Sequence, residues 1–208
     1  MPLRTFICVL AMAALLNACA SVPQSGGNAL ATDKVLESVS DEQGRRVSRF
    51  VDGTLLAPLT GYALPEVNLM LPEVREDISV QQLAILSNAL NRSVCNRLGQ
   101  YLVAEPVPSE TALKIEIALT GITPTSKTLS GLSAAAYFFV PGPFRIPVGM
   151  GAIALDARAS TAGKTAAFMR WAKGANPVFN SAKVSSIGDA YALLDTFTRE
   201  FGQLLLQG

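Results

Sequence analysis

Cysteine is the residue type in this chain that most clearly indicates chemistry, and histidine is absent. The sequence contains three cysteines, Cys8, Cys19 and Cys95, and no histidine. A thiol can be acylated or oxidised, whereas Ser-His-Asp catalysis, Cys-His catalysis and the commonest zinc sites all need an imidazole. We therefore expect modification of a thiol, and a protein that is neither an enzyme nor a holder of metals or cofactors.

Cys19 lies at the end of a short N-terminal apolar run. Arg4 is the only charge before it, and residues 6–16 form an uninterrupted apolar stretch. A basic tip, a short apolar stretch and a small-residue exit are the three parts of a secretory signal. The run is too short for a transmembrane helix, which needs about 20 apolar residues. We expect residues 1–18 to be a removed signal, although 18–20, Ala-Cys-Ala, also fits an ordinary cleavage site.

Residues 16–19, Leu-Asn-Ala-Cys, resemble the lipobox of bacterial lipoproteins. The resemblance implies that Cys19 carries a covalent diacylglycerol and an N-acyl chain, since the signal is cut before this cysteine in such proteins. Ala20 stands where an aspartate would mark inner-membrane retention, which implies the outer membrane, facing the periplasm. The Pro-, Ser- and Gly-containing residues that follow predict a lipidated flexible tether over 19–33.

The rest of the chain predicts one periplasmic domain over residues 34–208. The whole chain has 17 basic and 16 acidic residues. Removing the signal removes Arg4, so the remaining chain has equal numbers of basic and acidic residues. This balance gives no reason to expect nucleic acid. Cys95 would be the only remaining free thiol, and it falls in a predicted helix. We interpret it as a small buried residue, with a reactive or intermolecular thiol as the alternative.

Three other patterns predict structure more readily than chemistry. Gly163-Lys164-Thr165 has the end of a phosphate-binding loop, but Arg158 stands where its first glycine belongs, and a hairpin is predicted there. Residues 149–154 fit G-x-G-x-x-A, but they lead into a strand instead of a helix. The acidic residues within 73–77 suit the start of a helix. We expect no nucleotide.

An unusual apolar segment spans residues 129–150. Its three prolines and three glycines exclude a regular membrane helix, because unsatisfied backbone groups are costly in lipid. It is either a core strand with a packed loop or an exposed surface for a partner or the membrane. In the second interpretation the candidate contact residues are Tyr137, Phe138, Phe139, Phe144 and Arg145.

Two helices are predicted by apolar residues that recur at helical spacing. The first begins at Ser79 with Gln82 in a capping-box position and ends at Gly99. The second begins at Ser186, with Asp189 in the capping-box position. The apolar stripes of the two helices are Leu83, Leu86, Leu90, Val94 and Leu98, and Ile187, Ala190, Leu194, Phe197, Phe201 and Leu204.

Alternating or β-rich stretches predict the strands. The clearest is 111–120, and a hairpin joins 153–160 to 165–173 through a turn at 162–164. Shorter candidates are 46–51, 67–71 and 101–103. The resulting fold is α+β: a two-layer sandwich in which a mostly antiparallel mixed sheet of about four to six strands carries two amphipathic helices on one face.

The lipobox and the last 80 or so residues resemble Gram-negative lipoproteins of the domain of unknown function 3313 family. The resemblance rests on strand 112–119, the apolar connection after it, strand 152–160 and Gly188-Asp189-Ala190 at the final helix. It implies the location and the fold and no activity.

We expect an accessory or interaction module for an envelope assembly, in transport or cell-wall synthesis, with the membrane and an envelope protein as partners. The alternative is a carrier or sensor of an apolar ligand that uses residues 129–150.

Overall fold

A six-stranded sheet forms one layer of the molecule. The computed structural model describes residues 23, 29–40, 45–63, 65–71, 78–105, 109, 111–125, 151–175 and 186–206. The elements in chain order are β1 (Glu37–Ser40), β2 (Arg46–Val51), α1 (Gly53–Leu56), β3 (Gly61–Ala63), β4 (Glu66–Leu69), α2 (Val80–Leu98), β5 (Val103–Glu105), β6 (Lys114–Thr123), β7 (Ala152–Thr161), β8 (Lys164–Gly174) and α3 (Gly188–Leu206).

The sheet is mixed but mostly antiparallel, which confirms the predicted fold class. Its strand order is β1-β2-β8-β7-β6-β4, and β4 is the strand that pairs in parallel, with β6. The remaining two strands, β3 and β5, form a small parallel sheet of their own that the sequence did not predict. Both long helices pack against the same face of the large sheet, here called the inner face.

Helix α2 forms where its sequence predicts it. The Ser79 hydroxyl accepts from the Gln82 backbone N–H, and the Gln82 side chain accepts from the Ser79 N–H, so the capping box is complete. The buried residues of the helix are those of the predicted stripe. The helix ends at Gly99, which keeps a right-handed helical conformation.

Helix α3 lies beside α2 and runs in the same direction. Gln82 at the start of α2 bonds Ser186 just before α3, and Arg97 at the end of α2 lies across Gly202 near the end of α3. All six residues of the predicted stripe are buried. The two helices therefore start at the same end of the molecule.

The hairpin between β7 and β8 confirms the predicted turn. Ala162 and Gly163 both have positive φ, 46° and 75°, as the favoured two-residue hairpin turns require. Gly163 tolerates this conformation because it has no Cβ.

The strand expected at 111–120 is displaced by three residues, to Lys114–Thr123. Two other predicted boundaries were also wrong, and each of these has a local cause. The strand expected at 101–103 lies at 103–105 because the N–H groups of Tyr101 and Leu102 both bond the Leu98 carbonyl, which extends the turn after α2. The helix expected at Ser186 begins at Gly188, because the Ser186 carbonyl accepts the Thr125 N–H instead of starting the helix.

Residues 29–36 lie on the opposite face of the sheet, here called the outer face. Leu30 packs there against Ala118 and Phe168. Part of this segment falls within the predicted tether. None of the helices in the described ranges is long and apolar enough to span a membrane.

Candidate functional site

The predicted lipidation residue and the candidate contact residues lie outside the described part of the chain. These are Cys19, the proposed lipid carrier, and the contact candidates Tyr137, Phe138, Phe139, Phe144 and Arg145. The structure does describe both residues that flank 126–150, namely Thr125 and Gly151. These two residues and their contacts are therefore the described part of the candidate site.

Asp189 binds both flanking residues. Its Oδ2 atom accepts the Gly151 backbone N–H at 2.8 Å and the Thr125 hydroxyl at 3.1 Å. The Asp189 N–H donates in turn to Thr125 Oγ1 at 3.3 Å. Asp189 is 0 % exposed, and hydrogen bonds to a buried carboxylate are stronger than those between neutral groups. We call Thr125, Gly151 and Asp189 the aspartate clamp.

The fold brings these three residues together at one end of the sheet. Thr125 follows the end of β6, Gly151 precedes β7, and Asp189 lies in the first turn of α3. The sequence suggested a different role for Asp189, in a capping box with Ser186. The carboxylate instead receives Thr125 and Gly151, which lie 64 and 38 residues away along the chain.

Gly151 has no room for a side chain. A Cβ at this position would lie 2.7 Å from Thr125 Oγ1, 2.9 Å from the Thr123 carbonyl oxygen and 3.1 Å from the Asp189 Cβ. These distances are shorter than van der Waals contact, so even alanine would push the clamp apart. The glycine that resembled part of a dinucleotide motif is needed for this close approach.

Further hydrogen bonds tie neighbouring connections to the same end. Thr125 N–H donates to the Ser186 carbonyl at 2.8 Å, and Ala175 N–H donates to the Gly151 carbonyl at 3.0 Å. The Gln82 side-chain amide reaches the Ser186 hydroxyl at 2.7 Å. The base of 126–150 is thus connected to β8 and to the starts of both helices.

Cys95 has the environment of an unreactive thiol. It is half-buried on α2, and its Sγ lies 3.5 Å from Asn91 Oδ1. Burial raises the pKa of the Cys95 thiol, which disfavours the nucleophilic thiolate. The Tyr62 hydroxyl donates to the Cys95 carbonyl at 3.2 Å, and burial also raises the pKa of Tyr62.

A groove of about 600 Å³ lies where β6 begins and the β7–β8 hairpin turns. Within it, Arg158 binds Glu116 with Nη2 at 2.6 Å and Nε at 2.8 Å. Burial alone would raise the pKa of Glu116, but Arg158 and Lys114 together outweigh it, so the pKa is lowered. Glu116 is therefore a paired, ionised carboxylate rather than one poised to transfer protons.

The structure describes some of the remaining sequence patterns but not all of them. Gly163-Lys164-Thr165 forms the hairpin turn and the start of β8, as predicted. The acidic residues at 73–77 lie outside the described residues. Across the described ranges, no group of three or more potential ligand side chains is placed to hold a metal ion.

The fold is an α+β sandwich in which Asp189 binds Thr125 and Gly151, the two residues that flank the connection between β6 and β7. The chain belongs to the family described as "Protein of unknown function (DUF3313)", whose model matches residues 28–201. This confirms the family to which the sequence was compared. No curated protein matches the chain.

Two kinds of solved structure show limited similarity to the chain. A PelC dodecamer from Paraburkholderia phytofirmans has a TM-score of 0.40 and 8% identity, over 73% of this chain and 94% of that one. A DUF4136 family protein from Bacteroides thetaiotaomicron VPI-5482 has a TM-score of 0.37 and 6% identity, over 79% and 98%. At these values the similarity establishes no shared function.

Proposed function

We propose that the protein is an envelope lipoprotein, anchored in the outer membrane through Cys19 and facing the periplasm, that acts as a non-enzymatic interaction module. Its partner would be a protein of an envelope assembly, in transport or cell-wall synthesis. The contact surface would be the apolar segment 129–150, with its aromatic residues as anchors. The same chemistry could hold an apolar ligand, and the experiments below distinguish the two.

The observation that carries this proposal is the aspartate clamp. Thr125 and Gly151 are held by a buried carboxylate at fixed positions, so the segment between them starts and ends on a rigid base. Binding residues are often carried on loops that a rigid scaffold positions, and a fixed base lowers the entropy lost on binding.

The anchor is supported by the sequence. Residues 16–19 have the pattern of a lipobox directly after the apolar run. One myristoyl chain gives only marginal membrane binding, whereas two signals give stable attachment. Acyl chains on both the thiol and the amine of Cys19 would therefore keep the domain at the membrane.

The anchor is tested with Cys19→Ser in cells fed labelled palmitate. We expect the label to be lost and the protein to leave the membrane fraction. Cys95→Ser is the matched control and should keep both properties. Label that still enters the Cys19 variant would contradict the assignment.

The interaction is tested by cross-linking in intact cells, followed by mass spectrometry of the purified protein. We expect a reproducible protein partner whose cross-links map to 129–150. Co-purifying lipid without such a partner would favour the carrier or sensor instead.

The role of the clamp is tested with Asp189→Asn in the same experiment. We expect fewer cross-links from 129–150 because the Thr125 hydroxyl and the Gly151 N–H lose their shared carboxylate. Asp195→Asn, on the exposed side of the same helix, is the control and should leave the cross-links unchanged. Equal cross-linking in both variants would remove the clamp from the proposal.

A further inference from the structure

Residues 29–36 form an irregular segment, with bends at 29, 30 and 34, whose exposure pattern is that of a peptide docked on a surface. From Ala31 to Leu36 the side chains alternate strictly between exposed and half-buried. Val35, for example, is 92 % exposed, whereas Leu30 at the head of the segment is only 6 % exposed. We call residues 29–36 the strap.

The side chain of Leu30 provides the apolar contact of the strap. It packs between Ala118 of β6 and Phe168 of β8, both of which are fully buried. These two strands are separated by β7, so the strap crosses the sheet instead of adding a strand to it. Ala29, Leu36 and Phe50 pack at the margin of this cluster.

The backbone of the strap is bound as well. Arg158 Nη1 donates to the Ala31 carbonyl at 3.1 Å. The backbone of Leu30 forms a hydrogen bond with Asp156, whose side chain is 0 % exposed. Asp156 also accepts from Arg170 Nε at 3.3 Å. One side-chain pocket and two backbone contacts on adjacent positions are the elements of peptide recognition.

We propose that the outer face of the sheet is a docking site for a peptide segment, and that its occupant is the chain's own strap. The first residues of the strap then lie over the middle of this face rather than at its edge at β1. In combination with the proposed anchor on Cys19, docking turns the outer face toward the membrane. This last consequence rests on the proposed function; the docking does not.

Docking also sets the reach of the domain. With the strap docked, the chain from Cys19 to Ala29 spans at most about 35 Å, at 3.3–3.6 Å per residue. If the strap were released, the chain from Cys19 to Glu37 could span about 60 Å by the same rule. The strap therefore determines how far from the membrane the domain can find a partner.

The test compares Leu30→Asp with Val35→Asp in the full chain by hydrogen exchange and mass spectrometry. Both substitutions add the same charge to the strap, but only Leu30 enters the pocket. We expect exchange at the strap amides to rise at least about tenfold in the Leu30 variant, while β6, β7 and β8 stay protected. The Val35 variant should exchange like the unsubstituted protein.

Several outcomes would overturn the docking. The strap of the Leu30 variant could stay fully protected, or both variants could lose protection equally. Leu30→Ala serves as a milder variant if the charge unfolds the domain. If the strap then exchanges only together with global unfolding, it is an integral part of the fold and not a docked peptide. None of these measurements involves palmitate labelling of Cys19, so the anchor and the docking can fail separately.

Discussion

The two faces of the sheet are built by different means. The inner face is apolar and is covered by α2 and α3, with Trp171, Phe197 and Phe201 among its largest fully buried side chains. The outer face contains charged pairs between neighbouring strands, Asp156 with Arg170 and Glu116 with Arg158, and it is crossed by the strap. The inner face is therefore stabilised by burial of apolar area, whereas the outer face depends on charge pairing and strand register.

The largest expected effect is on the inner face. Phe197 contacts Trp171 edge-on at 5.6 Å and stacks on Phe201 at 5.9 Å, measured between ring centroids. Phe197→Ala should lower the free energy of unfolding by about 3–5 kcal/mol through lost burial and the cavity left behind.

Denaturant unfolding measures this change, and Tyr191→Ala is the matched control. Tyr191 lies on the same helix with its side chain exposed, so its substitution should stay within about 0.5 kcal/mol. A similar loss in both variants would mean that α3 is not packed through this stripe.

The outer face should show its difference in the pH dependence of stability. Burial raises the pKa of Asp156 above its usual 3.8, against the hydrogen bonds and charge of Arg170. The pKa of Glu116 is lowered from 4.5. By linkage, Asp156 adds stability as the pH falls through its raised pKa, whereas Glu116 loses its contribution once the pH falls below 4.5 toward its lowered pKa.

Asp156→Asn and Glu116→Gln separate these two contributions in unfolding curves measured from pH 7 to pH 3. The Asp156→Asn variant should lose the gain in stability that acidification gives the unsubstituted protein. The Glu116→Gln variant should lose the steep fall in stability at lower pH. Identical pH profiles for the two variants would show that the two pairs do not differ in this way.

The packing of the inner face could be predicted from the sequence because the apolar stripe of each helix is a local pattern. All the stripe residues of α2 and α3, and the capping box at Ser79, follow from spacings of three or four residues. The aspartate clamp was not readable, because its members meet only after the sheet has formed. A glycine before a strand and an aspartate after a helix start were visible, but nothing local connects them.

The charged pairs and the strap on the outer face could not be predicted from the sequence for a related reason. In the β7–β8 hairpin a bulge at Ala166 shifts the register, so that Asp156 faces Arg170. Counting from the turn without a bulge would place Met169 opposite Asp156 and leave the carboxylate without its partner. The sequence likewise indicated a flexible tether over 19–33, which overlaps the strap at residues 29–33, because one apolar residue, Leu30, is a weak signal.

A smaller effect is expected at Cys95 on α2, whose backbone carbonyl accepts the hydroxyl of Tyr62 from the small sheet. Cys95→Ala should cost roughly 1 kcal/mol, since the side chain is only half-buried, and it should leave partner association intact. Non-reducing electrophoresis of protein from cells checks the alternative role. A covalent dimer that disappears in the variant would show that Cys95 is an intermolecular thiol.

We propose that residues 129–150 make contact with a partner or the membrane instead of stabilising the domain. It is tested most directly with Phe139→Ser and Phe144→Ser, made singly and together, by measuring thermal melting and partner or membrane association on the same samples. We predict that association is lost while the melting temperature stays unchanged. A large fall in melting temperature, with association declining in parallel, would place these side chains in the core and contradict the claim.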